Sequence, residues 1–192
     1  MEVFAEKGFA AAKLDEIAQR AGVSKPALYR YFETKEELFR AVARATVAPN
    51  LEAIEKAIAA FDRPFAEVVP MLLSRMAAMR GEGRGPAMAK MVIGESRSFP
   101  DLARIWHDDV VARMMGMIAD IVAGAQGRGE VIPGDPRLYA FSIMGPMVMA
   151  LLFREIFGEH ETDSPDLHGL AIQHAKTVVR GLLRAPPAEN ID

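Results

Sequence analysis

Two short helical patterns meet at Gly22, and this junction constrains the fold of the chain more than any other feature. Apolar residues recur at helical spacing on both sides of it: Leu14, Ile17, Ala18 and Ala21 before, and Leu28, Tyr31 and Phe32 after. Gly22 can adopt a positive φ at little steric cost, so the first helix can end sharply there. Ser24 then offers an N-cap oxygen, and Pro26 suits the first turn of the next helix. The pattern predicts a helix-turn-helix, with an ordinary corner of an all-α protein as the alternative.

The predicted motif has a packed side and an open side. Because Ala18 is small, the second helix can cross closely over the first, and we expect Val23 and Leu28 to fill the angle between them. The open side carries Ser24, Lys25, Ala27, Tyr29 and Arg30. Lys and Arg bind phosphates and guanine edges, a Tyr hydroxyl binds phosphate, and an Ala methyl packs on a thymine methyl. The open side therefore predicts a surface that reads the major groove of DNA.

Another helix start follows at Thr34. Thr34 and Glu37 have the spacing of a capping box, in which each side chain bonds a backbone N–H at the helix start. Lys35 lies in the predicted first turn, beside backbone N–H groups that have no helical partner. Because such a turn can bind a phosphate, Lys35 joins the predicted DNA contacts.

The run from Glu6 to Val42 resembles the DNA-binding domain of TetR/AcrR-family transcriptional regulators. The matching pieces are Gly8-Phe9, Ile17-Ala18, Ala21-Gly22-Val23-Ser24, Leu28-Tyr29, Tyr31-Phe32 and Lys35-Glu36-x-Leu38, within about the first quarter of the chain. The resemblance implies that the major groove and its flanking backbone are contacted by Lys25, Ala27, Tyr29, Arg30 and Tyr31. It also implies a phosphate contact at Lys35.

The chain departs from the family pattern at two points. Only seven residues precede Gly8, so we expect a short first helix without a basic arm. The family usually has a hydroxyl residue that caps the second helix and touches a phosphate, whereas Ala11, Ala12 and Lys13 occupy this region. Loss of such a cap costs about 1 kcal/mol. Lys13 is the candidate to replace the phosphate contact.

Composition limits the class of protein. The chain has 192 residues, 51% of them hydrophobic, and no cysteine, so it can bury a substantial core without disulfides. Neither a signal peptide nor an uninterrupted apolar run of membrane-spanning length is evident, so we expect a cytoplasmic protein that has no membrane partner. Because the net charge is −3, attraction to DNA must come from the position of the basic side chains.

The remaining chain reads as helices and connectors, which predicts an all-α fold. We assign residues 1–46 to a helix-turn-helix DNA-binding domain, 47–185 to a helical effector-binding and dimerisation domain, and 186–192 to a disordered tail. The predicted helices after the motif are residues 34–47, 49–61, 64–80, 87–98, 101–125, 136–157 and 165–184.

Methionine is abundant, with twelve residues, many of them in the middle helices. Methionine adapts to irregular shapes and suits plastic apolar pockets, although plain core filling is the better explanation for any single one. The family resemblance also implies an effector pocket here. The predicted pocket residues are Met88, Met91, Trp106, Met114, Ile118, Met144 and Met147.

The last two predicted helices each have an apolar face. Two such hairpins could pack as a four-helix bundle across a two-fold axis, or both faces could belong to the monomer core. A helix-turn-helix usually reads two half-sites, which favours a dimer, and the resemblance places dimerisation here too. The predicted interface residues are Phe141, Val148, Leu152, Leu170, His174 and Val178.

The sequence gives little support for catalysis or metal binding. Consecutive helical residues point in different directions, so His107, Asp108 and Asp109 cannot chelate one ion well. We interpret Glu95 with Arg97, and Asp108 with Arg104, as ion pairs at helical spacing. Nucleophile, zinc and nucleotide motifs are missing from the sequence, so we predict neither a cofactor nor an enzyme.

These patterns together predict a ligand-responsive transcriptional regulator, and the resemblance favours a repressor. It would bind palindromic operator DNA as a homodimer and be released by a small, mostly apolar effector. The alternative is a helical adaptor that binds only protein.

Overall fold

The computed structural model describes residues 2–45, 52, 63–78, 85–158 and 163–184. The helices are α1 (Glu2–Ala11), α2 (Leu14–Arg20), α3 (Lys25–Tyr31), α4 (residues 35–45), α5 (Phe65–Ala78), α6 (Gly85–Glu95), α7 (Pro100–Trp106), α8 (Ala112–Gly127), α9 (Pro136–Phe157) and α10 (Leu167–Leu182). A π-helical turn, His107–Val111, joins α7 to α8. In these described ranges the only β pairing is an isolated bridge between Val131 and Leu183. The all-α prediction is confirmed.

Helix bounds agree with the sequence prediction where local signals are strong. The range 136–157 was predicted and is observed, with Asp135 accepting a hydrogen bond from the N–H of Arg137. The last helix begins later than predicted, because Asp166 accepts from the N–H groups of His168 and Gly169 and so caps the helix at Leu167. The predicted helix 49–61, apart from residue 52, the tail 186–192 and the domain boundary near residue 46 lie outside the described residues.

Buried apolar side chains form two clusters. The C-terminal cluster is built from α5, α8, α9 and α10 and includes Phe65, Leu73, Ile118, Val122, Ile143 and Met147. The N-terminal cluster combines α1 to α4 with α6 and α7 and includes Phe4, Phe9, Phe39, Met88, Leu102 and Ile105. The core beneath the helix-turn-helix is therefore completed by helices that come more than forty residues later in the chain.

Two helical stretches reach membrane-spanning length, although charged residues interrupt both of them. Pro100–Gly127 and Pro136–Phe157 are long enough to cross a membrane, and each contains an 18-residue window whose mean hydropathy is 1.2 and 1.5, respectively. Core helices of soluble proteins meet the same criteria, and both stretches contribute to the C-terminal cluster. Their length and composition are therefore weak support for membrane insertion.

Candidate nucleic-acid interface

The turn between α2 and α3 has the predicted geometry. Gly22 adopts φ +68°, and the N–H of Val23 donates to the carbonyl of Ala18 at 3.0 Å. Ser24 accepts a hydrogen bond from the N–H of Ala27 at 3.3 Å, which confirms the predicted N-cap. Leu28 is buried as expected, but Val23 is 43% exposed, so the prediction that it fills the angle between the helices was wrong. Its place in the tight turn directs its side chain outward.

Most predicted DNA-binding side chains share one open surface. The structure exposes Lys13, Ser24, Lys25, Tyr29, Arg30 and Tyr31 and leaves Ala27 half-buried. The residues of α3 among them and its N-cap form the reading face, which we define as Ser24, Lys25, Ala27, Tyr29, Arg30 and Tyr31. Tyr31 is 70% exposed and thus does not belong to the packed side.

The cations of the reading face have only surface partners. Lys25 Nζ lies 2.7 Å from an Asp15 carboxylate oxygen and 5.8 Å from the centre of the Tyr29 ring. The hydrogen bond to Asp15 raises the pKa of Lys25 above its ordinary value. Arg30 stacks over the ring of Tyr31 at 5.2 Å. Exposed pairs of this kind contribute at most about 1 kcal/mol, so both cations can exchange these partners for phosphate or base edges.

The start of α2 lacks a side-chain cap. Lys13 occupies the N-cap position in an extended conformation, and its side chain makes no capping hydrogen bond. This confirms that a hydroxyl cap is missing. Lys13 is exposed at a helix start whose first N–H groups have no helical partner, which keeps it a candidate for a phosphate contact.

The capping box at α4 forms with one change of partner. Thr34 Oγ1 accepts from the N–H of Glu37 at 3.1 Å, as predicted. The Glu37 carboxylate accepts from the N–H of Glu33 at 2.8 Å instead of from that of Thr34. Both bonds fix the entry into α4.

Lys35 binds backbone carbonyls of the segment that precedes α2. Its ammonium donates to the backbone carbonyls of Phe9, Ala10 and Ala12, at 2.6, 3.1 and 3.1 Å. It also lies 4.6 Å from the centre of the Phe9 ring. Since an ammonium has three protons, these carbonyls use its whole donor capacity. The phosphate contact predicted for Lys35 therefore has no donor left, and we remove it from the DNA contacts.

Glu95 holds the same backbone segment from the other side. Its carboxylate oxygens accept from the N–H groups of Phe9 and Ala10 at 2.9 and 2.8 Å. The predicted ion pair with Arg97 was therefore wrong. Sequence reasoning missed this contact because 86 residues separate Glu95 from Phe9.

The second predicted ion pair is also replaced. Arg104 pairs with Asp101, one turn before it, and His107 Nδ1 contacts Asp108 at 2.8 Å. Asp109 turns away from both and pairs with Arg44 of α4 at 2.7 Å. Across the ranges described above, no three His, Cys, Asp or Glu residues are placed to hold one metal ion.

The predicted pocket residues divide between the two clusters. Met88 and Met91 are buried in the N-terminal cluster, with Trp106 packed against it. Ile118, Met144 and Met147 are buried in the C-terminal cluster, with Met114 at its edge. The seven side chains are thus divided between two clusters, and a pocket lined by all of them stays a prediction.

The predicted interface residues also separate by burial. Phe141 is 64% exposed, whereas Val178 is 7% exposed and belongs to the C-terminal cluster. Val148, Leu152, Leu170 and His174 are half-buried, and His174 Nε2 lies 3.0 Å from the carbonyl oxygen of Ile143. A stripe on α9, which we call the α9 stripe, is exposed at Leu138, Phe141, Met149 and Ile156. We therefore drop Val178 from the predicted interface and add Met149.

Two family models match the chain. A model of bacterial regulatory proteins of the tetR family matches residues 1–42. A model described as the C-terminal domain of AefR-like transcriptional repressors matches residues 67–185. Together they cover both the reading face and the helices of the C-terminal cluster.

The relatives of the chain include both a repressor and an activator. The repressor BepR of Brucella suis is 27% identical over an alignment of 193 positions, and this alignment covers 96% of this chain and 88% of BepR. The activator FasR of Mycolicibacterium smegmatis is 47% identical over 57 residues, which cover 30% of this chain and about a quarter (26%) of FasR. The solved structure of FadR from Bacillus subtilis, in complex with stearoyl-CoA, is 20% identical, covers 94% of each chain and superposes with a TM-score of 0.77.

Proposed function

The chain belongs to the TetR family of bacterial transcriptional regulators, and from this premise we propose that it is a homodimeric repressor that binds palindromic operator DNA and is released by a small apolar effector. The family is one of regulators rather than enzymes. One observation carries the proposal above the others: the reading face leaves two cations and two tyrosines exposed on one short helix.

DNA recognition rests on the chemistry of that face. Lys25 and Arg30 supply positive charge, Tyr29 and Tyr31 supply hydroxyls, and Ala27 offers a methyl group. Lys13 adds a charge at the start of α2. Two copies of α3 in a dimer would enter successive major grooves about 34–36 Å apart.

The α9 stripe supports dimerisation. Leu138, Phe141, Met149 and Ile156 expose apolar surface at the spacing of one helix face. On a two-fold axis, the same stripe of a second copy would cover it. We expect Phe141→Glu to give monomers in analytical ultracentrifugation, and a dimer of unchanged affinity would contradict this interface.

The release step rests on family analogy and on composition. FadR from Bacillus subtilis and FadR from Thermus thermophilus bind stearoyl-CoA and lauroyl-CoA, and the methionine-rich helices of this chain suit an apolar chain. The effector and DNA would favour different conformations, so binding of one lowers the affinity for the other. Absence of cysteine fits a cytoplasmic regulator.

A gel-shift series over increasing salt tests the proposal, with DNA from around the protein's own gene as the probe. We expect sequence-selective binding by the dimer that weakens steeply with salt. Lys25→Ala should weaken binding and lower the salt slope by about one, while Tyr29→Ala should weaken binding with little change in slope. Arg104→Ala, which removes an exposed ion-paired cation outside the helix-turn-helix, is the matched control.

Either variant binding like the wild type would remove that residue from the contacts. A wild-type protein that binds no duplex selectively would contradict the proposal and favour the protein-binding adaptor. Titration of stearoyl-CoA and lauroyl-CoA into the bound complex then tests whether an acyl chain releases DNA.

A further inference from the structure

The backbone of residues 9–12 lies between two opposite charges that come from different parts of the chain. Lys35, in the first turn of α4, holds its carbonyls, and Glu95, at the end of α6, holds its N–H groups. Lys35 donates to three carbonyl oxygens of the segment, and Glu95 accepts from two of its N–H groups. Charge-assisted hydrogen bonds are roughly twice as strong as neutral ones, so this segment is fixed relative to both helices.

Gly8 makes the approach of Glu95 possible. It breaks the helical course of α1 with φ +77° and ψ 172°, a conformation that is essentially restricted to glycine. After the break, the N–H groups of Phe9 and Ala10 donate to Glu95 of α6. A Cβ at position 8 would overlap Oε1 of Glu95. The glycine is thus required by its backbone angles and by the carboxylate next to it.

Helix α6 connects this contact to the C-terminal part of the molecule. Met88, Met91 and Val92 of α6 pack into the N-terminal cluster. On another side of the helix, Lys90 Nζ donates to the backbone carbonyl of Glu155 on α9 at 3.1 Å. Because Glu95 lies on the same helix as Lys90, a shift of α6 relative to α9 would also move Glu95.

The segment leads directly into the helix-turn-helix. Ala12 is buried, Lys13 is the N-cap of α2, and α2 is tied to α3 through the Val23 N–H and the Ala18 carbonyl. A displacement of residues 9–12 should therefore also displace the reading face, since packed side chains resist small deformations.

We propose that Glu95 is a positioning residue, through which α6 sets where the reading face lies relative to the rest of the protomer and hence which operator spacing the dimer accepts. The proposal rests on the proposed DNA-binding function. It assigns Glu95 a role distinct from that of a simple helix cap, because a cap alone would affect stability and not the choice of spacing.

The test compares two carboxylates that each accept from the N–H of a buried phenylalanine. Glu95→Gln keeps the size of the side chain but turns an amide donor toward one backbone N–H. Glu130→Gln is the matched control, because Glu130 accepts from the N–H of Phe65 at 2.6 Å within the C-terminal cluster. Duplexes are first selected from a random pool with the wild-type protein. Binding is then measured on the best duplex and on versions with one base pair added or removed between its half-sites.

We expect Glu95→Gln to weaken binding of the best duplex about tenfold, as for the loss of a charged hydrogen bond, and to reduce the preference for the original spacing at least threefold. The salt slope should not change, because no phosphate contact is lost. Glu130→Gln should leave the spacing preference intact. A Glu95→Gln protein that keeps the wild-type preference, or a Glu130→Gln protein that loses it equally, overturns the proposal.

Amide hydrogen exchange on the same variants separates this proposal from the proposed function. If the wild type selects no duplex, the DNA-binding function fails, and exchange alone decides the role of Glu95. We expect Glu95→Gln to speed exchange at Phe9, Ala10 and throughout α2, with α8 unchanged. Unchanged exchange in α2 would show that Glu95 does not position the helix-turn-helix.

Discussion

The two apolar clusters differ in which parts of the chain supply their helices. The C-terminal cluster is made by helices of one region, α5 and α8 to α10. The N-terminal cluster joins the first four helices to α6 and α7, so the reading face stands on a core that both regions share. The difference shows that the DNA-binding part of this chain is not an independent packing unit. A change in α6 or α7 reaches it through buried side chains.

A pair of carboxylates repeats the contrast. Glu130 and Glu95 each accept a hydrogen bond from the N–H of a fully buried phenylalanine, Phe65 and Phe9 respectively. Glu130 joins elements of one cluster, whereas Glu95 joins α6 to the segment before the helix-turn-helix. The same chemical device thus serves stability in one place and alignment of two regions in the other.

The largest expected effect comes from matched leucine deletions in the two clusters. Leu102 of the N-terminal cluster and Leu73 of the C-terminal cluster have no exposed surface. Each change to Ala should lower the free energy of unfolding by about 2–5 kcal/mol, through lost burial and a residual cavity. Native-state hydrogen exchange should show faster opening of α1 to α3 in Leu102→Ala only. Equal opening of α1 to α3 in Leu73→Ala would mean that the clusters are one cooperative unit.

A smaller effect is expected from two glycines with positive φ. Gly22 has φ +68° and open space around its Cα, so Gly22→Ala should cost about 1 kcal/mol from backbone strain alone. Gly8→Ala adds an overlap with Glu95 and a less accessible backbone conformation, and should cost about 3 kcal/mol. Urea unfolding measures both.

The double variant Gly8→Ala with Glu95→Ala sharpens this comparison. Its loss of stability should be less than the sum of the two single losses, because the overlap disappears with the carboxylate. Strict additivity would show that Glu95 does not lie against Gly8.

The smallest effect concerns acid sensitivity of the C-terminal cluster. Hydrogen bonds from Arg128 and then from the Phe65 N–H lower the pKa of Glu130, against the effect of its partial burial. A lowered folded-state pKa adds stability that is present above the ordinary value of 4.5 and is lost as pH falls through the folded value. The free energy of unfolding should be about 1 kcal/mol higher for the wild type than for Glu130→Gln at pH 7. This difference should shrink below pH 4.5. A difference independent of pH, in urea titrations at several pH values, would contradict the assignment.

Local signals made the helix-turn-helix and its surface predictable. Gly22, the Ser24 cap and the apolar spacing of α2 and α3 act within a few residues. The local sequence is therefore enough to predict the turn and the two helices. The exposure of Lys25, Tyr29 and Arg30 follows from the same spacing. The prediction that Val23 is buried between the two helices was wrong, because a residue inside a tight turn can face outward even when it is apolar.

Long-range partners were not predictable in the same way. Sequence neighbours predict a phosphate ligand at Lys35 and a surface ion pair at Glu95. Both instead bind the backbone of residues 9–12, with Glu95 86 residues away from Phe9. The predicted pocket stays a prediction for a related reason, since methionine content does not say which of two clusters each side chain joins.

The sequence by itself determined the all-α class, the helix-turn-helix and the chemistry of its open face, because helix spacing, caps and a positive φ are properties of neighbouring residues. Tertiary structure alone decided that α6 and α7 complete the core under that motif, and that Glu95 and Lys35 hold one backbone segment between them. Those contacts depend on which helix surfaces meet when the chain packs, and a pattern of neighbouring residues does not specify which surfaces meet.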